Sequence, residues 1–147
     1  REVFRNDKLA LKLWHAELQE TVESAEVITE LKPIVSDFKQ KLSIFTKVNE
    51  YLEKISKEAN AEIFLKDATA YMEMFGLLNG AWQWLKMSQK AQLRVSNGNA
   101  EDNFYKSKIH TMMFYFKYEM SRIDQLAEIL FQTDTLTIFD PNNEILD

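Results

Sequence analysis

The sequence predicts an all-α fold, a four-helix up-and-down bundle with an irregular C-terminal tail, and three observations carry that prediction. Three Gly, two Pro and no Cys in 147 residues leave few turns of the kind that need a positive or a fixed φ, which argues against a many-stranded sandwich or barrel. Apolar residues recur at three- and four-residue spacing from about residue 7 to about residue 132, the signature of amphipathic helices. A hydrophobic fraction of 46% and an aromatic fraction of 12% fit a packed globule. A chain near this length hides roughly 70% of the surface it exposes when unfolded, so one domain without disulfides is expected.

The first helix is expected over residues 7–30, with Asp7 as N-cap and Leu11, Trp14, Leu18, Val22, Ala25 and Ile28 as its buried stripe. Pro33 suits the first turn of a new helix and opposes continuation of an old one, so the second runs over 33–57. Phe38, Leu42, Phe45, Val48, Leu52 and Ile55 face inward there, and Lys39, Lys41, Lys47, Glu50, Glu53 and Lys54 mostly outward. The third helix occupies 60–97, capped by Asn60 and closed by Gly98 in a left-handed C′ position. A straight rod of that size would be roughly 55 Å long, so a break is allowed near Lys66-Asp67. Its inward set is Phe64, Ala68, Tyr71, Phe75, Leu78, Trp82 and Leu85.

Ser96-Asn97-Gly98-Asn99 is the strongest turn in the chain. The fourth helix follows over 100–132, with Glu101 and Asp102 at the positive end of its dipole and a stripe of Tyr105, Ile109, Met112, Phe116, Met120, Ile123, Leu126 or Ala127, and Leu130. Short connections make each helix return along its predecessor. Residues 1–132 therefore form the bundle and 133–147 an irregular tail, whose Leu136, Ile138, Phe139, Ile145 and Leu146 are expected to lie on a surface, that of another domain or subunit included.

A net charge of −5 and a pI near 5.2 give no footprint for a phosphate backbone and argue against nucleic acid as a partner. The longest uncharged stretch, Met74 to Leu85, falls short of the roughly 20 apolar residues of a membrane span. Arg1, Glu2, Arg5, Asp7 and Lys8 stand where a signal peptide would develop its hydrophobic region, so a reducing cytoplasm is the simplest compartment. Arg1 is not a start methionine, which fits a piece of something longer and fits processing equally.

A helical bundle can host several chemistries, each with its own residue signature. A di-iron site takes Glu-x-x-His on two helices, but Lys12 and Ser107 precede His15 and His110 by three residues. Two His and no Cys give no zinc framework, and both histidines read as packed or half-exposed structural residues. No serine has a recognisable base and oxyanion hole. Gly76 and Gly80 follow no strand, so they are not a phosphate cradle. Their spacing puts them on one helix face, where another helix or a flat aromatic can approach closely. Lys86, Lys90 and Arg94 form a basic ridge, by default a solvated face. Trp82 and Trp84 point about 200° apart on a helix, so one belongs to the core and the other needs a separate cover. Phe114, Tyr115, Phe116 and Tyr118 spread aromatic surface over more of the fourth helix than solvent normally meets, which points to a partner covering part of it.

Ala68, Thr69, Tyr71, Phe75, Gly76, Gly80, Trp82 and Trp84, followed by the polar end Met87-Ser88-Gln89-Lys90-Ala91-Gln92, resemble the central helix of the C-terminal-like domain appended to a subset of acyl-CoA dehydrogenases. Phe104-Tyr105-Lys106-Ser107-Lys108-Ile109 and Phe114-Tyr115-Phe116 are similar to that domain's next helix. Met72 stands where Leu is commoner. The layout covers most of residues 31–132, and these two helices carry the motifs.

The resemblance implies a C-terminal helical-bundle domain of a flavin-dependent acyl-CoA dehydrogenase. FAD, the glutamate base and the acyl-CoA substrate would belong to preceding domains of the same chain, and the full-length protein is expected to be a homo-oligomer. This stretch is expected to be inactive alone, with no catalytic, cofactor-binding or metal residues. Tyr71, Phe75, Gly76, Gly80, Trp82, Trp84, Tyr105, Lys108 and Phe116 are its motif and packing residues, Lys108 as an ion-pair or capping residue. The alternative is a free-standing helical interaction module that covers its aromatic surface by self-association. A membrane-surface helix suits an acidic chain poorly.

Overall fold

The computed structural model describes residues 8–58, 61–98, 102–136 and 138, and among these there is no strand. Six α-helices form four rods: α1 (Leu9–Glu26), α2 (Lys32–Glu58), a short α3 (Ala61–Leu65) leading into α4 (Ala68–Ser96), and α5 (Asp102–Phe114) joined through a π-helical turn, Tyr115–Glu119, to α6 (Arg122–Phe131). Asp7, Asn60, Asn99, Glu101, Phe139, Ile145 and Leu146 lie outside the described residues.

The rods alternate in direction, as the short connections require. Tyr71 near the start of α4 bonds Asn49 near the end of α2, and Glu73 pairs with Arg122 while Gly80 meets Tyr115, so α4 runs against both neighbours. Along α1 and α4, Trp14 reaches Asn79 and Thr21 reaches Trp82 and Gln89; these two rods are parallel. α2 and α4 face each other across the middle through aromatic rings, with α1 and the α5–α6 rod on either side.

The core follows the stripes that the spacing predicts on three rods. Leu11, Leu18, Val22 and Ala25 of α1, Phe38, Phe45, Val48 and Leu52 of α2, and Met112, Phe116, Met120, Ile123, Leu126, Ala127 and Leu130 of the last rod are buried. On α4 the centre of the face is displaced. Met74, Leu77, Leu78, Ala81, Leu85, Ser88 and Ala91 are buried, whereas Ala68 is exposed and Phe64, Tyr71, Phe75 and Trp82 are half-buried. This rod contacts α1, α2, α5 and α6, so its apolar residues must serve several directions at once.

Three local features depart from regular helix. α1 closes at Glu26, and Thr29–Leu31 forms a 3-10 turn before α2. The third rod breaks at Lys66-Asp67. In the fourth, the Met120 N–H donates to the Tyr115 carbonyl at 3.1 Å, an i→i+5 bond that takes one additional residue into the turn. Buried Met112, Phe116 and Met120 are four apart, and the wide turn keeps them in line where a regular helix would let them drift. Gly98 adopts φ +66° and its N–H donates to the Val95 carbonyl at 3.1 Å, closing α4 as a left-handed C′ residue does.

Lys41 corrects the outward face expected of α2. Its side chain is 10% exposed and its ammonium donates to Asp124 Oδ2 at 2.5 Å, so the aliphatic stem packs inward while the carboxylate end meets water. No described helix is long and apolar enough to cross a membrane.

Candidate functional site

The motif residues of α4 fall on three different surfaces. The first is the seam with α1. Trp14 Nε1 donates to Asn79 Oδ1 at 2.9 Å, Trp82 Nε1 donates to Thr21 Oγ1 at 2.7 Å, and Gln89 Nε2 donates to the Thr21 carbonyl at 2.7 Å. Asn79 turns its own amide to the Phe75 carbonyl at 2.7 Å. Indole N–H groups inside a seam need acceptors, and here each has one. Lys86 sits 4.4 Å above the Trp82 ring, which places the first member of the basic ridge on an aromatic face. His15 packs edge-on against Trp14 at 5.0 Å, and burial holds its pKa below the ordinary imidazole value. His110 is exposed.

The second surface meets the fourth rod. The Tyr115 hydroxyl donates to the Leu77 carbonyl at 3.0 Å, and a Cβ placed at Gly80 would lie 2.9 Å from Tyr115 Cζ. Gly80 thus admits a flat ring against bare backbone. Gly76 does not: it is exposed, and a Cβ there meets nothing within 4 Å, which corrects the expectation that both glycines mark one close contact. Trp84 is half-buried against the core, and Phe116 is buried with its ring edge-on to Phe38 at 5.8 Å. Burial, and secondarily the Glu119 charge, raises the Tyr115 pKa.

The third surface is the end of the bundle where α3 and the Lys66-Asp67 turn bridge α2 and α4. Phe45 lies here, fully buried, with Trp14, Tyr71 and Phe75 rings at 5.6, 5.5 and 5.9 Å. The Tyr71 hydroxyl donates to Asn49 Oδ1 at 2.8 Å, and Asn49 Nδ2 donates to the Phe45 carbonyl at 2.8 Å. Next to this cluster is a cavity of about 120 Å³ walled mainly by apolar side chains of α2, α3, α4 and Leu130. Lys66 and Asp67 are ion-paired at its rim with side chains only 8% and 13% exposed. Periodicity gave no sign of this cavity, because it arises where helix ends meet.

Burial pushes the Tyr71 phenol up to about 12 from its ordinary value of 10. The unfolded chain releases this proton first, so between those two values the folded state holds more protons and stability falls as pH rises. The expected loss approaches about 3 kcal/mol once both states are ionised. Urea midpoints between about pH 9 and about pH 11 should therefore decline more steeply for the wild type than for Tyr71→Phe, and equal slopes would rule this cause out.

Tyr105 and Lys108 lie on α5, outside these clusters. Phe104 carries Tyr105 edge-on at 5.5 Å and the Lys108 ammonium at 4.9 Å over its ring. Lys108 therefore covers an aromatic face here, where an ion pair or cap was expected. Phe104, Met113, Phe114 and Tyr118 are all more than half exposed, and the Phe114 and Tyr118 rings stack at 4.7 Å across the start of the π turn.

Among the described residues no group of His, Cys, Asp or Glu could hold a metal ion. α4 begins behind the Asp67 carboxylate and both its glycines lie mid-helix, so the start of this helix is not a cradle of the kind that holds a pyrophosphate.

A family model described as acetyl-CoA dehydrogenase C-terminal like matches residues 14–138. No curated protein and no solved structure matches significantly. The match begins at the tryptophan that bonds Asn79 and runs past the last rod, taking in the α1–α4 seam, the Gly80–Tyr115 contact and the ring cluster around Phe45; the chain belongs to the acetyl-CoA dehydrogenase C-terminal-like family.

Proposed function

We propose that this bundle is the C-terminal domain of a flavin-dependent acyl-CoA dehydrogenase, where it packs on the dehydrogenase body and shapes the oligomer. The family match over residues 14–138 is the observation that carries the reading. The exposed Phe114 and Tyr118 rings, 4.7 Å apart, supply a surface for the contact, since exposed aromatic side chains in contact with one another mark interaction sites. FAD supplies hydride-accepting chemistry when bound, and its contacts and the glutamate base belong to preceding domains.

The test uses the protein with its natural upstream sequence. That sequence should encode the dehydrogenase body. Replacing Phe114 and Tyr118 together with Ser should lower the oligomer size in sedimentation while flavin content per chain stays constant. A stop codon just before Arg1, or a stoichiometric yellow flavin complex of the 147-residue chain, would overturn the reading. A single well-defined oligomer of this chain alone would favour a self-associating interaction module instead.

A further inference from the structure

We propose that the cavity at the α3 end of the bundle is a binding site for an uncharged apolar molecule about the size of benzene. This goes beyond the packing role proposed above and does not rest on it. Volume is the first argument. The space of about 120 Å³ is close to the roughly 150 Å³ of an engineered apolar cavity in another protein, lined by Leu, Ile and Phe, that stays dry and takes up benzene.

The chemistry of the wall is the second. Ile55, Ile63, Phe64 and Leu130 line it with aliphatic and aromatic carbon. Of the polar groups on its wall, the Tyr71 hydroxyl is engaged with Asn49 and Lys66 with Asp67, which leaves Tyr51 and Gln132 as the other polar side chains that line it. A water molecule needs two to four polar partners, and a charged ligand would have to separate an ion pair whose members are nearly buried. Neither is favoured over an apolar guest.

Access is the third. Leu65 and Met72 both line the cavity and are 45% and 62% exposed. They stand at its mouth, and Met in particular is an adaptable, polarizable side chain. A small apolar molecule can pass them without unfolding a helix.

The experiment is a titration of the 147-residue chain with benzene, followed through methyl carbon–proton NMR spectra. Saturable shifts confined to Ile55, Ile63, Leu65 and Leu130 are expected. Ala68→Phe, at an exposed position that lines the mouth, should weaken binding at least tenfold, and Met72→Trp narrows the same mouth from a second exposed position should the first variant fail to fold. Phe114→Ala, on the remote ring face, should leave the affinity within a factor of two. Benzoate should bind at least tenfold more weakly than benzene. Shifts that do not saturate, shifts centred on Phe114 and Tyr118, unchanged binding in both mouth variants, or tighter binding of benzoate would each overturn the proposal.

Discussion

Phe45→Ala is expected to lower stability by about 3–5 kcal/mol, the range for removing a large aromatic from a core that cannot collapse around the gap. Phe45 is 0% exposed and its ring touches Trp14 from α1 and Tyr71 and Phe75 from α4, so one side chain joins three rods. A domain is stable by only about 5–15 kcal/mol in total, and the variant should therefore sit near the edge of folding. Urea denaturation followed by tryptophan fluorescence measures it, because Trp14 packs on the lost ring. Phe45→Leu, which keeps most of the volume, should cost less than half as much. Equal losses from the two variants would mean that refilling the space restores nothing and that the whole effect lies in the aromatic contacts.

Gly80→Ala should reverse its sign according to what stands opposite it. In the wild type a methyl group at this position runs into the Tyr115 ring, which is held by a 3.0 Å bond to the Leu77 carbonyl. Overpacking of this kind costs about 1–3 kcal/mol, more than the roughly 1 kcal/mol that alanine contributes over glycine inside a helix. With Tyr115→Ala as background the obstacle is gone, and the same change should stabilise by about 0.5–1 kcal/mol. Gly76→Ala, with open space around it, should stabilise in either background. A double-mutant cycle read by thermal unfolding tests all three, and a destabilising Gly80→Ala in the Tyr115→Ala background would refute the contact as the cause.

The fold was legible wherever a helix has one dry side. On α2 and on the last rod, apolar spacing marked Phe38, Phe45, Val48, Met112, Met120 and Ile123, all of which are buried. It served α4 less well, since a rod packed against several neighbours places apolar residues all round and dilutes the period that marks a face. The interior place of Lys41 depends on Asp124, 83 residues away, and no local rule connects two such positions. Glycine spacing indicated a close approach, but only Gly80 has a ring opposite it; the difference lies in where Tyr115 arrives from another rod. The break at Lys66-Asp67 was visible because an overlong rod has to end somewhere. The cavity beside it was not, since empty volume is a property of how ends fit together.

The wide turn at Tyr115–Glu119 fixes a phase relation between the two halves of its rod. Each residue in a helix advances its side chain by about 100°, so a deletion in the regular helix on either side would swing everything beyond it by that angle. It would either carry Met120, Ile123 and Leu130 out of the interior or turn Phe104 and Phe114 from the sides they now face. The wide turn already holds one additional residue, and a deletion inside it would restore a regular helix with both halves near their present phase. The turn is thus the place on this rod where chain length can change by one while the inner and outer surfaces stay aligned.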